Sequence, residues 1–199
     1  MNKNSLKNLK YGEPTKNHLR KMKKDSDLIG ADPDLIRLQR PPENDSRESV
    51  AEILRIKKAL EDNDYRNLRL IQLADEDPVG MFVSFAKKNG LRYDEEYIKD
   101  VSSQLKPIVL KLKYRFNRPR PYQLAGALGI EFDHIEKKSA STPAYPSGHT
   151  TQAHVISNIL SKMNPGFERE LENIADMISL TRFQAGVHYP SDIRAGREL

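Results

Sequence analysis

From Asp45 onward the apolar residues of this chain recur at intervals of three and four, the period of a helix with one buried face, and no stretch alternates like a strand. Val50, Ile53, Leu54 and Leu60 form the first run, behind Asp45 and Glu48 in a capping arrangement, and Asp62-Asn63-Asp64 closes it. Leu68, Leu70, Ile71 and Leu73 form a second, and a third spans Val79 to Lys88 before Asn89-Gly90, a favourable C-terminal pair. A fourth starts with Asp94-Glu95-Glu96, acids that suit the positive end of a helix dipole, and passes Tyr97, Val101, Leu105 and Val109 toward Phe116. Pro107 is expected to kink or break it. Arg118-Pro119-Arg120-Pro121 should end it, because a residue before proline is pushed out of the helical region. His149 to about Met163 and Phe167 to about Gln184 make a fifth and a sixth, and Pro190 suits the first turn of a last helix. The pattern predicts an all-α bundle, with Tyr122 to Ala144 as a long connection in the position of a lid or specificity loop.

The helical domain is expected over residues 46–199. Residues 1–45 read as a basic, polar, poorly ordered N-terminal extension, in which Leu28, Ile29, Leu35 and Ile36 are scattered among Pro14, Pro33, Pro41 and Pro42. The net charge of +5 is unevenly spread: residues 1–24 carry eight Lys or Arg against Glu13 alone, which is +7, so the remainder is −2. Such a segment can meet an anionic membrane surface or nucleic acid. Without interleaved aromatics it reads first as a solvated extension. The absence of cysteine excludes disulfides, thiolate zinc sites and a cysteine nucleophile. No apolar run approaches a bilayer span, and Met1-Asn2-Lys3-Asn4-Ser5 does not begin a secretory signal. A cytoplasmic protein with no transmembrane segment is expected, and nothing in the sequence opposes a homo-oligomer.

The chemistry gathers in three short stretches: Lys111 with Arg118-Pro119, then Pro146-Ser147-Gly148-His149, then Arg182 with His188 and Asp192. Phosphoryl transfer needs fixed positive charge on the non-bridging oxygens, and Lys111, Arg118 and Arg182 can supply it, the arginines through a planar fork that fits two oxygens. Lys111 and Arg118 are seven apart, about two helical turns, so both can project from one face. Ser147-Gly148-His149 enters a helix, where free backbone N–H groups favour an anion. A helix cap accounts for Ser147 taken alone, and less fully once Gly148 and His149 follow it.

The nucleophile is to be sought among His188, His149, Ser147 and the carboxylates. Asp192, four residues after His188, can hold one imidazole nitrogen and leave the other as a lone pair, which frees His149 to act as general acid. His18, His134 and His154 have no such neighbours. A metal site from His149, His154 and Asp192 is disfavoured, since residues five apart lie about 140° around a helix. A Ser147-His188-Asp192 hydrolase lacks the G-x-S-x-G elbow.

These motifs resemble the type 2 phosphatidic acid phosphatase superfamily, which includes class A bacterial acid phosphatases, membrane lipid phosphatases and vanadium-dependent haloperoxidases. Its signature, Lys-x6-Arg-Pro, Pro-Ser-Gly-His and Ser-Arg-x5-His-x3-Asp, is matched by Lys111 to Pro119, Pro146 to His149 and Arg182 to Asp192, with Thr181 in place of the serine. The resemblance implies an all-α bundle of the acid phosphatase/haloperoxidase type. It implies that Lys111, Arg118 and Arg182 bind phosphate with Ser147 and Gly148, that His188 forms a phosphohistidine oriented by Asp192, and that His149 protonates the leaving group. It implies a phosphomonoesterase acting on a small phosphorylated substrate with no metal or other cofactor, vanadate binding only as a phosphate mimic. The alternatives are a vanadium haloperoxidase and a non-catalytic anion-binding protein recruited by its basic segment.

Overall fold

The computed structural model describes residues 3–24, 26, 36–131, 133–135 and 138–199, and among these only helices, turns and irregular segments occur. In chain order the helices are α1 (Lys3–Lys7), α2 (Lys16–Met22), α3 (Arg47–Glu61), α4 (Tyr65–Glu76), α5 (Pro78–Lys88), α6 (Glu95–Phe116), α7 (Pro121–Leu128), α8 (Gly148–Met163), α9 (Glu168–Gln184) and α10 (Pro190–Glu198). The helices expected from the sequence are α3 to α6, α8 and α9, with α10 the one that Pro190 opens. Their starts are set by side-chain caps: Ser46, Asp64, Asp77, Asp94 and Ser147 each accept the backbone N–H three residues on. The first of these caps is therefore Ser46, not Asp45.

α8 and α9 pack along their length, and α3, α4, α5 and α10 are arranged against α9 while α5, α6 and α10 meet α8. The core between them includes Phe82, Ile98, Ile156, Leu160, Leu171 and Ile178. A second cluster joins Ile53 and Ile56 of α3 to Leu124 and Ala125 of α7, Ala144 and Tyr189. α6 runs unbroken through Pro107, and it ends where Asn117 turns left-handed at φ 48°, a conformation asparagine tolerates better than most residues.

Two expectations change. The connection after Pro121 holds α7, because proline presets the first helical turn, Gln123 Oε1 accepts from the Arg120 backbone N–H at 2.9 Å, and Gly129 at φ 71° closes it. The N-terminal extension, expected to be poorly ordered, is folded onto the domain where it is described. Asn44 donates to the carbonyls of Leu6 and Leu9 at 3.2 and 2.9 Å, Tyr11 and Gly12 donate to Asn117 at 3.1 and 3.2 Å, and the His18 ring meets the Tyr114 hydroxyl at 2.7 Å. These polar anchors have no hydrophobic period and so leave no trace in the pattern. Leu28, Ile29 and Leu35 lie outside the described residues. Among the described residues no helix is long and apolar enough to cross a membrane.

One close approach fixes α10 against the start of α8. A Cβ added at Gly196 would lie 2.6 Å from the Ser147 carbonyl oxygen, whereas one at Gly126, exposed on α7, meets nothing within 4 Å. Gly196→Val should therefore destabilise by roughly 1–3 kcal/mol through overpacking. Gly126→Ala should stabilise by about 0.5–1 kcal/mol, since only helix entropy is at stake. Thermal melts of the two variants should move in opposite directions; a Gly196→Val melt at or above the parent's would contradict this packing.

Candidate active site

His188 is the centre of the described chemistry. Its Nδ1 lies 3.2 Å from Asp192 Oδ2 and its Nε2 lies 3.0 Å from Arg120 Nη1. A guanidinium can only donate, so Nε2 must be the acceptor, and the proton sits on Nδ1 facing the carboxylate. The ring is therefore held as the tautomer with a lone pair on Nε2. Burial, then the charges of Arg120, Lys113 and Arg182, push its pKa well below the ordinary histidine value, so the lone pair stays available in mild acid.

Around it stand three buried cations. Arg120, 1% exposed, also donates to the carbonyls of Val187 and Thr142 at 2.6 and 2.7 Å; burial pulls its pKa down to about 10, still cationic at neutral pH. Lys113, in the last turn of α6, donates to the Pro143 carbonyl at 2.7 Å, and burial followed by the Arg120 charge holds its pKa well below the usual lysine value. Arg182, near the end of α9, sits 2.9 Å from Asp75 Oδ1 and donates to Ser139 Oγ at 2.9 Å, while its Nε is buried with no partner. A buried unpaired donor of a cation is a place for an anion oxygen.

The N-terminus of α8 completes the set. Ser147 caps it and is fully buried, its own N–H donating to the Asp192 carbonyl at 3.0 Å. As the first helical residues, Gly148 and His149 have no intrahelical acceptor for their N–H groups. A cavity of about 330 Å³ opens over Lys113, Gly148 and His149, walled by Leu105, Val109 and Leu110 of α6 and edged by His18 and Lys21 of α2. His149 Nε2 is 4.0 Å from Asp75 Oδ1; burial, then the Arg182 charge, push its pKa down to about 3.

The structure thus gathers His188, Asp192, His149, Ser147, Gly148 and Arg182, and it departs from the sequence reading at the basic prelude. Lys111 is exposed, and Arg118 points behind Asp192: its Nη1 donates to Asp192 Oδ1 at 2.6 Å and Ser191 Oγ at 2.7 Å, and its Nη2 to Glu52 Oε2 at 3.1 Å. Lys113 and Arg120-Pro121 occupy the places expected of Lys111 and Arg118-Pro119. The sequence Lys111-Leu112-Lys113 followed by Arg118-Pro119-Arg120-Pro121 fits the spacing in two registers, and residues two apart lie about 200° around a helix, so only one register faces inward. No motif marks Asp75 or Ser139. Burial pushes the Asp75 carboxyl up, but the Ser139 hydroxyl, which donates to it, and Arg182 outweigh this and hold it below its usual value.

The helical bundle thus places a lone-pair imidazole, three buried cations and a helix N-terminus near one another, a concentration of donors and positive charge chemically suited to an oxyanion. Residues 102–199 match the family model of the PAP2 superfamily. Among solved structures its fold is similar to that of the first bacterial vanadium-dependent iodoperoxidase, with 15% identity and a TM-score of 0.60 over 80% of this chain, which spans 49% of that one. The first transmembrane PAP2-type phosphatidylglycerolphosphate phosphatase, from Bacillus subtilis, aligns over 75% of this chain and 78% of its own at 20% identity and a TM-score of 0.49. No curated protein sequence matches the chain.

The register is directly testable. Lys113→Met should weaken inhibition by inorganic phosphate about tenfold or more, the loss of one charge-assisted hydrogen bond. Lys111→Met should leave it unchanged; the reverse pattern would restore the outer register. The depressed His149 pKa has its own consequence. An unfolded histidine takes its proton near pH 6.5, so the stability His149 lends as a neutral side chain is present above that pH and is lost as pH falls toward about 3. Bound sulfate, a dianion throughout, should raise the His149 pKa in an NMR titration. Titration near the ordinary value without any anion would contradict the electrostatics described.

Proposed function

We propose that the protein is a metal-independent phosphomonoesterase of the acid phosphatase kind, acting through a phosphohistidine on His188. The observation that carries this reading is the enforced tautomer, with Nδ1–H on Asp192 and the Nε2 lone pair among Arg120, Lys113 and Arg182. The phosphoryl oxygens of a substrate would take the hydrogen bonds of those cations and of the N–H groups opening α8, displacing Arg120 from Nε2, since phosphate is the better acceptor.

Nε2 then attacks phosphorus as the bond to the leaving oxygen breaks, and His149 gives that oxygen its proton. The dianion makes this possible: its charge opposes that of Arg182 and restores the proton that His149 lacks in the empty site. Water next attacks phosphorus, His149 takes the proton, the bond to Nε2 breaks, and phosphate leaves with both histidines restored. The charge arrangement also suits vanadate, which would be held by His188 together with Lys113, Arg120 and Arg182. Bound there, vanadium would supply peroxide activation. Fold similarity to an iodoperoxidase is the observation that keeps this second reading in view.

Two assays separate the readings. Hydrolysis of an aryl phosphate without vanadate supports the first; iodide or bromide oxidation with peroxide and vanadate, without hydrolysis, overturns it. Within the first reading, His149→Ala should slow alkyl phosphates by roughly 10²–10⁴-fold and aryl phosphates far less, because a phenolate leaves without a proton. Equal losses on both classes would remove His149 from the acid role.

A further inference from the structure

We infer that Glu52, on α3 and outside the segment that matches the family, is a positioning residue for phosphoryl transfer, engaging Arg118 so that Asp192 remains a strong acceptor for the His188 Nδ1–H. This rests on the phosphatase reading for its kinetic consequence, though not for its structural one.

Glu52 is 4% exposed, an unusual place for a carboxylate, and every bond it makes is to the machinery behind the nucleophile. Its Oε1 accepts the Ser191 N–H at 2.7 Å, and its Oε2 accepts the Ser191 hydroxyl at 2.9 Å and Arg118 Nη2 at 3.1 Å. Arg118, 3% exposed and stacked 3.8 Å over the Tyr189 ring, gives its other arm to Asp192 Oδ1 at 2.6 Å. Asp192 Oδ2 faces His188 Nδ1. The four groups form one line, carboxylate, guanidinium, carboxylate, imidazole.

Charge decides what the line does. Arg118 and Asp192 alone would make a neutral pair, with the carboxylate's electron density drawn toward the guanidinium and away from the ring. With Glu52 the trio carries one net negative charge. When Nε2 takes the phosphoryl group while Nδ1 keeps its proton, the imidazole becomes cationic among Lys113, Arg120 and Arg182, and that residual charge beneath it is what offsets the repulsion. The Ser191 contacts also seat the first turn of α10, which carries Asp192.

Glu52→Gln keeps the shape and an acceptor for the Ser191 N–H while deleting the charge. It should slow phosphoenzyme formation in single turnover by about tenfold or more while KM for an aryl phosphate stays within about twofold. The His188 Nδ1–H resonance should move upfield as its hydrogen bond weakens. Arg118→Met should move that resonance the other way, because Asp192 is then no longer shared. A purely structural Glu52 would lower melting temperature and raise KM with no directed shift. Unchanged or reversed resonances in the two variants overturn the inference, and should Glu52→Gln not fold, the downfield shift in Arg118→Met is still required. A parent protein that hydrolyses no phosphomonoester would sink the phosphatase reading instead, leaving the two resonances to judge the positioning.

Discussion

Asp192 is the residue on which the rest of the site hangs. It is fully buried, and its oxygens accept from four places: Arg118 Nη1 at 2.6 Å, the Tyr189 N–H at 2.9 Å, His188 Nδ1 at 3.2 Å, and, through its backbone carbonyl, the Ser147 N–H at 3.0 Å. A buried carboxylate is tolerable only when so satisfied. Because those donors come from just past α6, the two residues leading into α10 and the cap of α8, meeting that need also brings His188, the start of α8 and the basic segment into register. The packing of Gly196 against the Ser147 carbonyl holds the same junction from the other side.

Buried charges of both signs crowd around this junction. Four buried cations, Lys113, Arg118, Arg120 and Arg182, stand near three acids, Glu52, Asp75 and Asp192. Both histidines respond by remaining neutral. Arg118 is the exception among the cations: burial alone would lower its pKa, but Asp192 and then the other neighbours, including Glu52, raise it instead, as befits an ion already paired. The division of labour follows. Arg118 is engaged by Asp192 and Glu52, while the other three cations stand around His188, where the proposed reaction would use them on the phosphoryl oxygens.

Much of this was legible in the sequence, and the failures are instructive. Apolar spacing marks most of the long helices because each buries one face, and Pro190 marks the start of α10. α7 escaped because a Pro-headed, eight-residue helix with Gly126 inside reads as a connection. The three-part motif picked out residues that lie together in the fold but not the register of its first part, since a two-residue repeat of lysine and of arginine-proline satisfies the same spacing twice; helical rotation buries Lys113 and exposes Lys111. Glu52 did leave a signal. It shares the buried stripe of Ser49, Ile53 and Ile56, so an acid stood at a core position of an amphipathic helix. Asp75, four residues after Ile71, is a weaker instance of the same sign. A charge on an apolar face, without a motif around it, points to a partner that only the fold supplies.

The central claim is that the phosphoryl group passes through His188 and does not go directly to water. Hydrolysis of a phosphomonoester made chiral at phosphorus with oxygen isotopes, in isotopically defined water, measures this without trapping anything. Two in-line displacements, first by Nε2 and then by water, should return inorganic phosphate with overall retention of configuration. Inversion would mean a single displacement by water, and would reduce His188 from nucleophile to a base or a binding group.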